Sequence, residues 1–336
     1  MTLRKELIFV PNENQCHAST IISFASGDFL AAWFEGSSEG ADDVCIKLAR
    51  RQKDIWSKPV CVAKISDEPH WNPVLFCLSD SVTALYFKVG REIKNWRTFV
   101  MHSSDEGTSW SEPHELVPGD LSGGRGPVKN KPIKLASGVI AAPASDERDW
   151  SSFVDLSSDG GKTWERSKKM PMPDIDVVCR TGHNKLGVIQ PTLWESSPDT
   201  VHMLLRSNNH AIYRSDSSDG GYSWCEIYPS GLPNNNSGID AVKLPDDRLV
   251  LAYNPNNENW GPRNRLELLI SSDNGYTWDS KYELDQCTAA LPTGYWPELS
   301  YPAIITTRSG GMAISYTSLR KSICFVQGKP GDFFPE

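Results

Sequence analysis

Short apolar runs alternate with polar turns along the whole chain. Six of these runs, rich in Val, Ile, Leu, Phe and Tyr, read FLAAWF, TALYFKV, VIAAPA, VHMLLR, LVLAY and MAISYT. Gly, Asp, Asn and Pro separate the runs, and long stretches with the 3.6-residue period of an amphipathic helix are absent from the sequence. The pattern therefore predicts an all-β protein built from short strands.

A turn motif, Ser-x-Asp-x-Gly-x-x-Trp, recurs at a regular spacing. It reads SSDEGTSW, SSDGGKTW, SSDGGYSW and SSDNGYTW, and it ends at Trp110, Trp164, Trp224 and Trp278. Trp56, which is followed by Ser-x-Pro as Trp110 is, ends a degenerate fifth copy. A repeat of about 55 residues divides the 336 residues into six units. Equal β units of this length predict a six-bladed β-propeller that spans residues 1–336 as a single domain.

The motif itself has a structural explanation. Its Asp accepts hydrogen bonds from nearby backbone amides, its Gly adopts a positive φ, and its Trp packs between neighbouring sheets. The last unit has no such motif after Tyr301. We therefore expect the end of the chain to pair with the N-terminal strand and close the ring.

The repeat also locates candidate functional residues. About 33 to 39 residues before each motif Trp, a polar residue precedes Pro or Ala and then an apolar run. The final unit has the same pattern without the Trp. Equivalent positions with different polar side chains are typical of a central site on a repeated scaffold. These residues are His17, Asn72, Lys131, Gln190, Asp240 and Tyr301.

The following strand of most units ends in a second set of polar residues. This set contains Glu35, Lys88, Arg206, Asn254 and Arg320. The Gly-rich stretch GGRGPVKNKP adds Arg125 and Lys129, and His70 precedes Asn72 in the chain. A pocket so rich in cations predicts a substrate with an anionic group, such as a sugar carboxylate bound by arginine.

Composition excludes several other classes of protein. The net charge of -8 argues against a general nucleic-acid binder, and the chain has no apolar run of about 18 residues that would span a membrane. The N-terminus lacks a signal-peptide pattern, so we expect a cytoplasmic location. The eight cysteines form no C-x-x-C pair, so we predict small buried side chains rather than a zinc or redox site, and neither a metal nor another cofactor.

The four full motifs resemble the Asp-boxes of the sialidase (neuraminidase) superfamily, in its BNR-repeat branch. The segments GPVKNKPI, IQPTL, NSGIDAV and SYPAI add to the resemblance, which covers almost the whole chain. This branch also includes propellers similar to rhamnose–glucuronate lyase. The resemblance implies a carbohydrate-active enzyme with an arginine triad for the substrate carboxylate, a Tyr nucleophile activated by a Glu, and an Asp acid.

The implied residues match this chain in part. They are Tyr301 for the nucleophile, Arg206 for the second arginine, Asp42 or Asp43 for the acid, and Arg263, Arg265 or Arg320 for the third arginine. His17 replaces the first arginine, and Gln190 replaces the Glu. Gln cannot accept the Tyr proton as Glu would. The two replacements therefore favour a reaction other than sialidase hydrolysis.

We predict an enzyme that cleaves the glycosidic linkage of an acidic sugar, with uronate-directed β-elimination by a polysaccharide lyase favoured. Its expected catalytic residues are Tyr301, His17 and Arg206. The expected substrate-binding residues are His70, Asn72, Arg125, Lys129, Lys131, Gln190, Asp240 and Arg320. A sialidase-type exo-glycosidase is the alternative, and a non-catalytic glycan-binding propeller is the second alternative. The expected partner is an acidic oligosaccharide.

Overall fold

The predicted strands are present in the structure, a computed structural model that describes residues 3–178, 184–288 and 297–335. Each of the six apolar runs forms the second strand, counted from the centre, of an antiparallel sheet. These strands are almost entirely buried. The six sheets form a ring, so the chain is the all-β, six-bladed propeller that the repeat predicts.

Each sheet is one blade, and the blades follow each other in chain order. Blade 1 contains β2 (Gln15–Ser23), β3 (Phe29–Gly36), β4 (Cys45–Gln52), β5 (Ile55–Trp56) and β6 (Val60–Ala63). Blade 2 contains β7 (His70–Cys77), β8 (Thr83–Val89), β9 (Arg97–Ser103) and β10 (His114–Glu115). Blade 3 contains β11 (Ile133–Lys134), β12 (Ile140–Asp146), β13 (Ser151–Ser157) and β14 (Glu165–Arg166).

The second half of the ring has the same organisation. Blade 4 contains β15 (Val188–Ser197), β16 (Thr200–Ser207), β17 (Ala211–Ser217) and β18 (Tyr228–Pro233). Blade 5 contains β19 (Asp240–Lys243), β20 (Leu249–Tyr253), β21 (Arg265–Ser271) and β22 (Ser280–Gln286). Blade 6 contains β23 (Leu299–Thr306), β24 (Met312–Ser318), β25 (Ser322–Gly328) and the N-terminal strand β1 (Arg4–Leu7). Helical structure in the described ranges is limited to Ile93–Asn95 and Pro330–Phe333, and no helix there is long and apolar enough to cross a membrane.

The N-terminal strand closes the ring, as expected. β1 runs antiparallel to β25, with Arg4 opposite Gln327 and Leu7 opposite Cys324. The outer edge of the last blade is therefore covered by the first strand of the chain. This pairing holds blade 6 beside blade 1, where β2 contacts β23.

The innermost strands of four blades contain the same β-bulge. Each bulge contains a residue with a positive φ, namely Ala18 (54°), Asn72 (39°), Gln190 (53°) and Tyr301 (53°). A bulge leaves one residue outside the ladder and changes the direction of its side chain. The predicted alignment of His17 with Asn72, Gln190 and Tyr301 is therefore wrong by one residue, because the bulge and not the first polar side chain sets the register.

The recurring turn is stabilised by its own side chains. In blade 3, the carboxylate of Asp159 accepts hydrogen bonds from the backbone N–H groups of Lys162 (3.0 Å) and Thr163 (2.9 Å). Trp164 in the same motif packs edge-on against Tyr86 of blade 2, with ring centroids 6.2 Å apart. The motif thus combines a local cap with a contact between adjacent blades, which explains why it recurs.

These turns lie at one end of the propeller. In blade 2, Ser103 begins the motif opposite Thr83, and Thr83 is opposite Cys77 at the end of the inner strand. Lys88 pairs with Trp71 at the beginning of that strand. The polar positions at the beginnings of the inner strands are therefore at the opposite end from the turns.

The cysteines do not all occupy the buried positions expected from the sequence. Cys16, Cys45 and Cys324 are buried, whereas Cys61 and Cys225 are exposed. The prediction is wrong for the exposed pair because both residues lie near the outer edges of their blades. Cys179 lies outside the described residues.

Replacing a buried motif tryptophan should destabilise the propeller. Trp224 is 7% exposed and packs in the core shared by blades 3 and 4. We expect Trp224→Ala to lower the free energy of unfolding by about 3–5 kcal/mol, measured by urea denaturation. Tyr222→Ala changes an exposed side chain of the same turn and should cost less than about 0.5 kcal/mol. Equal effects of the two substitutions would contradict this account of the motif.

Candidate active site

A pocket of about 650 Å³ lies at the centre of the ring, with side chains from all six blades in its wall. It lies at the beginnings of the inner strands, away from the recurring turns. Six of the predicted site residues line it: His17, Asn72, Gln190, Arg206, Tyr301 and Arg320. The sequence repeat therefore indicated the correct end of the fold for these residues.

Tyr301 and Arg206 form the most direct polar contact in this pocket. Nη1 of Arg206 donates hydrogen bonds to the Tyr301 hydroxyl at 2.6 Å and to Oε1 of Gln190 at 3.0 Å. Nε of Arg206 donates to the side-chain oxygen of Asn236 at 2.8 Å. The bulges at Gln190 and Tyr301 direct these two side chains toward the arginine at the end of β16.

The charge on Arg206 lacks a carboxylate partner. Arg206 is only 3% exposed, yet all of its hydrogen-bond acceptors among the described residues are neutral, and no Asp or Glu of the described chain forms an ion pair with it. A buried cation without an anionic partner is costly. An anionic ligand group in the pocket would supply the missing partner.

Glu298 holds the two other arginines of the pocket. Its carboxylate accepts hydrogen bonds from Nη1 of Arg263 at 3.0 Å and from Nε of Arg320 at 2.5 Å. Burial alone would raise the pKa of Glu298, but His17, whose Nε2 lies 3.9 Å from the carboxylate, and the positive charges of Arg263 and Arg320 hold that pKa well below its ordinary value. Both arginines are thus already neutralised in part, which distinguishes them from Arg206.

His17 lies beside Tyr301 in the pocket wall. The ring centroids of the two residues are 4.1 Å apart, and Nδ1 of His17 is 2.8 Å from the Thr317 hydroxyl. Burial, assisted by the nearby charge of Arg320, lowers the pKa of His17 well below its ordinary value. At neutral pH the imidazole is therefore uncharged, so it replaces the expected arginine without supplying a positive charge.

Three carboxyl groups that the sequence analysis missed line the pocket, those of Glu39, Glu92 and Glu147. Glu147 is 8% exposed and accepts a hydrogen bond from the Ser145 hydroxyl at 2.8 Å. Burial raises the pKa of Glu147 above its ordinary value, so this side chain is a candidate proton donor. Glu39 accepts a hydrogen bond from Nη1 of Arg320 at 2.7 Å. Glu147 directly follows β12, the second strand of blade 3. In most other blades the polar residue at the end of the second strand was selected, and the same selection in blade 3 would have identified Glu147.

The proposed acids Asp42 and Asp43 lie elsewhere. The carboxylate of Asp42 forms a paired contact with Arg91, at 3.0 and 3.1 Å. Asp43 accepts hydrogen bonds from the backbone N–H and the hydroxyl of Ser37. Neither carboxylate lines the pocket, since Asp42 is bound to Arg91 and Asp43 to Ser37 instead.

Several predicted cationic residues are also absent from the pocket wall. Arg125 binds the carboxylate of Asp155 through Nε and Nη2 at 2.9 to 3.0 Å. The ammonium group of Lys131 binds Asp240 at 2.9 and 3.0 Å. These predicted residues form internal ion pairs between strands, so they do not reach a ligand in the pocket as described.

Lys129 and His70 are buried at other positions. Lys129 donates hydrogen bonds to the backbone oxygens of Ile239 and Pro302, and burial lowers its pKa to about 7. His70 bonds through its two ring nitrogens to the backbone of Ile65 and Glu68, and burial lowers its pKa to about 4. The Gly-rich stretch pointed to Lys129 and the position before Asn72 pointed to His70, but neither feature revealed that backbone groups occupy their polar atoms.

Aromatic side chains form much of the remaining wall. Trp71 and Trp96 contact each other, with centroids 5.3 Å apart, and Trp150 and Trp260 line the pocket from blades 3 and 5. Indole faces are suited to the apolar C–H faces of sugar rings. The sequence analysis missed these residues, although all four are tryptophans outside the regular motif positions.

The sequence pattern matches one family model, described as a BNR repeat-like domain, over residues 27–314. No curated protein gives a significant match to the chain. Solved structures nevertheless share the fold at low sequence identity.

Three of them illustrate the likeness. The Hadza microbial sialidase Hz136 has a TM-score of 0.76 and 16% identity, over 95% of this chain and 66% of its own. A mutant of the NanB sialidase from Streptococcus pneumoniae has a TM-score of 0.73 and 12% identity, over 97% of this chain and 70% of its own. A protein of unknown function from Dyadobacter fermentans has a TM-score of 0.72 and 15% identity, over 97% of this chain and 98% of its own.

These likenesses show a shared fold. The chain spans about two thirds of the two sialidases, so their activities do not transfer to it directly. The family model covers residues 27–314 of the 336, which includes blades 2 to 5 and parts of blades 1 and 6. The BNR repeats indicated by the turn motifs are confirmed: the chain belongs to the BNR repeat-like domain family.

Proposed function

We propose that the protein cleaves the glycosidic linkage of an acidic sugar, by β-elimination next to a uronate carboxylate. One observation carries the proposal: buried Arg206 contacts the Tyr301 hydroxyl at 2.6 Å and has no carboxylate partner among the described residues. A guanidinium group binds a carboxylate through two parallel hydrogen bonds. The sugar carboxylate would therefore bind at Arg206, within reach of Tyr301.

The pocket wall supports a sugar as the ligand. Trp71, Trp96, Trp150 and Trp260 present aromatic faces, while Asn72 and Gln190 supply neutral polar groups. Such a mixture of aromatic walls and a few polar groups is typical of pockets that bind small polar molecules. The pocket volume of about 650 Å³ accommodates a short oligosaccharide.

Elimination requires a base, an acid and a cation. The Tyr301 hydroxyl, which accepts a hydrogen bond from Arg206, passes its proton to water as its oxygen removes the C5 proton of the uronate, and the C–H electron pair forms the C4–C5 double bond. The C4–O bond breaks, and the leaving oxygen takes a proton from Glu147. Arg206 stabilises the charge that develops on the carboxylate. His17 packs against Tyr301 and holds its ring in place.

Hydrolysis of a sialic-acid-type linkage is the second candidate. It is favoured by the three arginines that line the pocket, since Cζ of Arg206 and of Arg263 lie 5.8 and 5.7 Å from the Tyr301 ring centroid. In that reaction Tyr301 would attack the anomeric carbon. Gln190 argues against it, because the resemblance implies a Glu beside the tyrosine in that reaction, whereas this chain has a neutral amide there, bound to Arg206.

A direct assay separates these reactions. The protein is incubated with uronate-containing and with sialylated oligosaccharides, and the unsaturated uronate product and free sialic acid are measured. Ultraviolet absorbance of the unsaturated product without free sialic acid supports elimination. Free sialic acid alone supports hydrolysis, and sugar binding without either product would identify a non-catalytic glycan-binding propeller.

Tyr301→Phe should abolish turnover and leave the fold intact. The substitution keeps the ring contact with His17 and removes only the hydroxyl that accepts the Arg206 hydrogen bond. We expect kcat to fall by at least about 100-fold. Wild-type kcat in a variant with an unchanged circular dichroism spectrum would rule out a catalytic Tyr301.

Arg206→Ala should mainly weaken substrate capture. Removing a hydrogen-bonded charge costs about 1.5–3 kcal/mol, so we expect kcat/KM to fall about 10- to 150-fold through a higher KM. Arg91→Ala removes an exposed arginine outside the pocket and serves as the control. The assignment fails if the two variants have the same KM for the acidic sugar.

Glu147→Gln should remove the alkaline limb of the pH profile. Because burial raises the pKa of Glu147, the protonated acid is lost as pH rises through that pKa. We expect kcat to fall about 100- to 10,000-fold in the variant. Because the pKa of Glu147 is higher in the folded protein than in the unfolded chain, its ionised carboxylate destabilises the fold at neutral pH. We therefore expect the variant to lose no stability at that pH. Steady-state kinetics across pH test the predicted fall in kcat, and melting curves across pH test the predicted stability. Glu112→Gln, which changes an exposed glutamate, is the control.

A further inference from the structure

A second concave surface lies between blades 1 and 2, apart from the central pocket. This groove has a volume of about 670 Å³ and is lined by β6 and by the turn that ends at Trp110. The Cys61 side chain is exposed and forms part of the lining. Cys61 is therefore accessible from solution through the groove.

A second thiol lies on the strand next to that of Cys61. β4 and β6 are antiparallel with a register shift between Ile46 and Lys47, and Cys61 is opposite Lys47. Cys45 precedes Lys47 by two residues, so both side chains point to the same face of the sheet as Cys61. The thiols of Cys45 and Cys61 interact by a side-chain hydrogen bond, and neither is part of a disulfide.

The surroundings of the two thiols differ. Cys45 is only 8% exposed, whereas Cys61 is open to the groove. The hydrogen bond with Cys45, helped by the positive charge of Lys47 and Lys64, lowers the pKa of Cys61 to about 6 although burial opposes this. The same hydrogen bond and burial raise the pKa of Cys45. The exposed thiol of the pair is thus the more acidic one, and the buried thiol is the less acidic one.

We propose that Cys61 is a thiol-modification site, where a peroxide oxidises the exposed sulfur and Cys45 closes an intramolecular disulfide. The Cys61 thiolate attacks one oxygen of hydrogen peroxide, the O–O bond breaks, and hydroxide leaves to take up a proton as water. The sulfur of Cys45 then attacks the Cys61 sulfenic acid and releases a second water. The two thiols lose two electrons and two protons, and the peroxide is reduced to water.

The other exposed cysteine lacks this arrangement. Sγ of Cys225 accepts a hydrogen bond from the backbone N–H of Asp216 at 3.3 Å, and its nearest side-chain partner is the Ser215 hydroxyl at 3.6 Å. No described cysteine contacts it. Cys225 therefore provides a matched control within the same molecule, exposed but without a resolving thiol.

The experiment uses the full chain and needs no glycan, so its outcome is independent of the proposed function. Folded protein is treated with hydrogen peroxide, the remaining thiols are alkylated, and peptides are identified by mass spectrometry. We expect a crosslink between the Cys45 and Cys61 peptides that reductant reverses. Cys225→Ser should form the same crosslink, and Cys61→Ser should not.

Cys45→Ala separates the two chemical steps. Without the resolving thiol, Cys61 should accumulate as a sulfenic acid that a dione probe captures, while the melting temperature confirms that the variant is folded. In the parent protein, Cys61 should be alkylated by iodoacetamide at pH 6 about tenfold faster than free cysteine, because its thiolate persists there. Alkylation no faster than free cysteine, or peroxide treatment that leaves Cys45 and Cys61 uncrosslinked, would overturn the proposal.

Discussion

Antiparallel pairing of β1 with β25 is the constraint on which the rest of the propeller depends. A twisted sheet of four strands buries its two faces only if other sheets cover them, and a ring provides that cover for every blade once it is closed. The pairing brings residues from the two ends of the chain into one site. His17 and Thr317, separated by 300 residues, are within hydrogen-bonding distance only because the ring closes between blades 6 and 1.

The central pocket is organised by an unequal distribution of charge. Glu298 interacts with Arg263 and Arg320, so these two arginines form an internal network with their own anion. Arg206 instead has Tyr301, Gln190 and Asn236 as its partners, and all three are neutral in their ordinary states. The guanidinium group of Arg206 is therefore buried without an anionic partner among the described residues. It lies beside the phenol of Tyr301, in a pocket wall that is rich in indole rings.

Much of the site could be predicted because the repeat measures position along each strand. Stepping back from the motif tryptophans led to Gln190 and Asn72, and the end of the second strand of blade 4 led to Arg206. The same procedure selected Lys131 and Arg125, which bind Asp240 and Asp155 instead. Position along a strand does not determine a side chain's partner, since that depends on which acidic groups the neighbouring strands bring near.

The sequence by itself determined the class of fold, the number of blades and the end of the ring that carries the polar residues. These features follow from local rules, namely alternating apolar runs, turn residues and a repeat of constant length. Only the tertiary structure decided which charges are neutralised and which remain available. Glu147 acquires its role through burial, Glu298 acquires its role through contacts with Arg263 of blade 5 and Arg320 of its own blade, and the bulge at Ala18 moved His17 out of its predicted register. Burial and long-range ion pairing depend on contacts between distant segments, which a repeat along the chain does not encode.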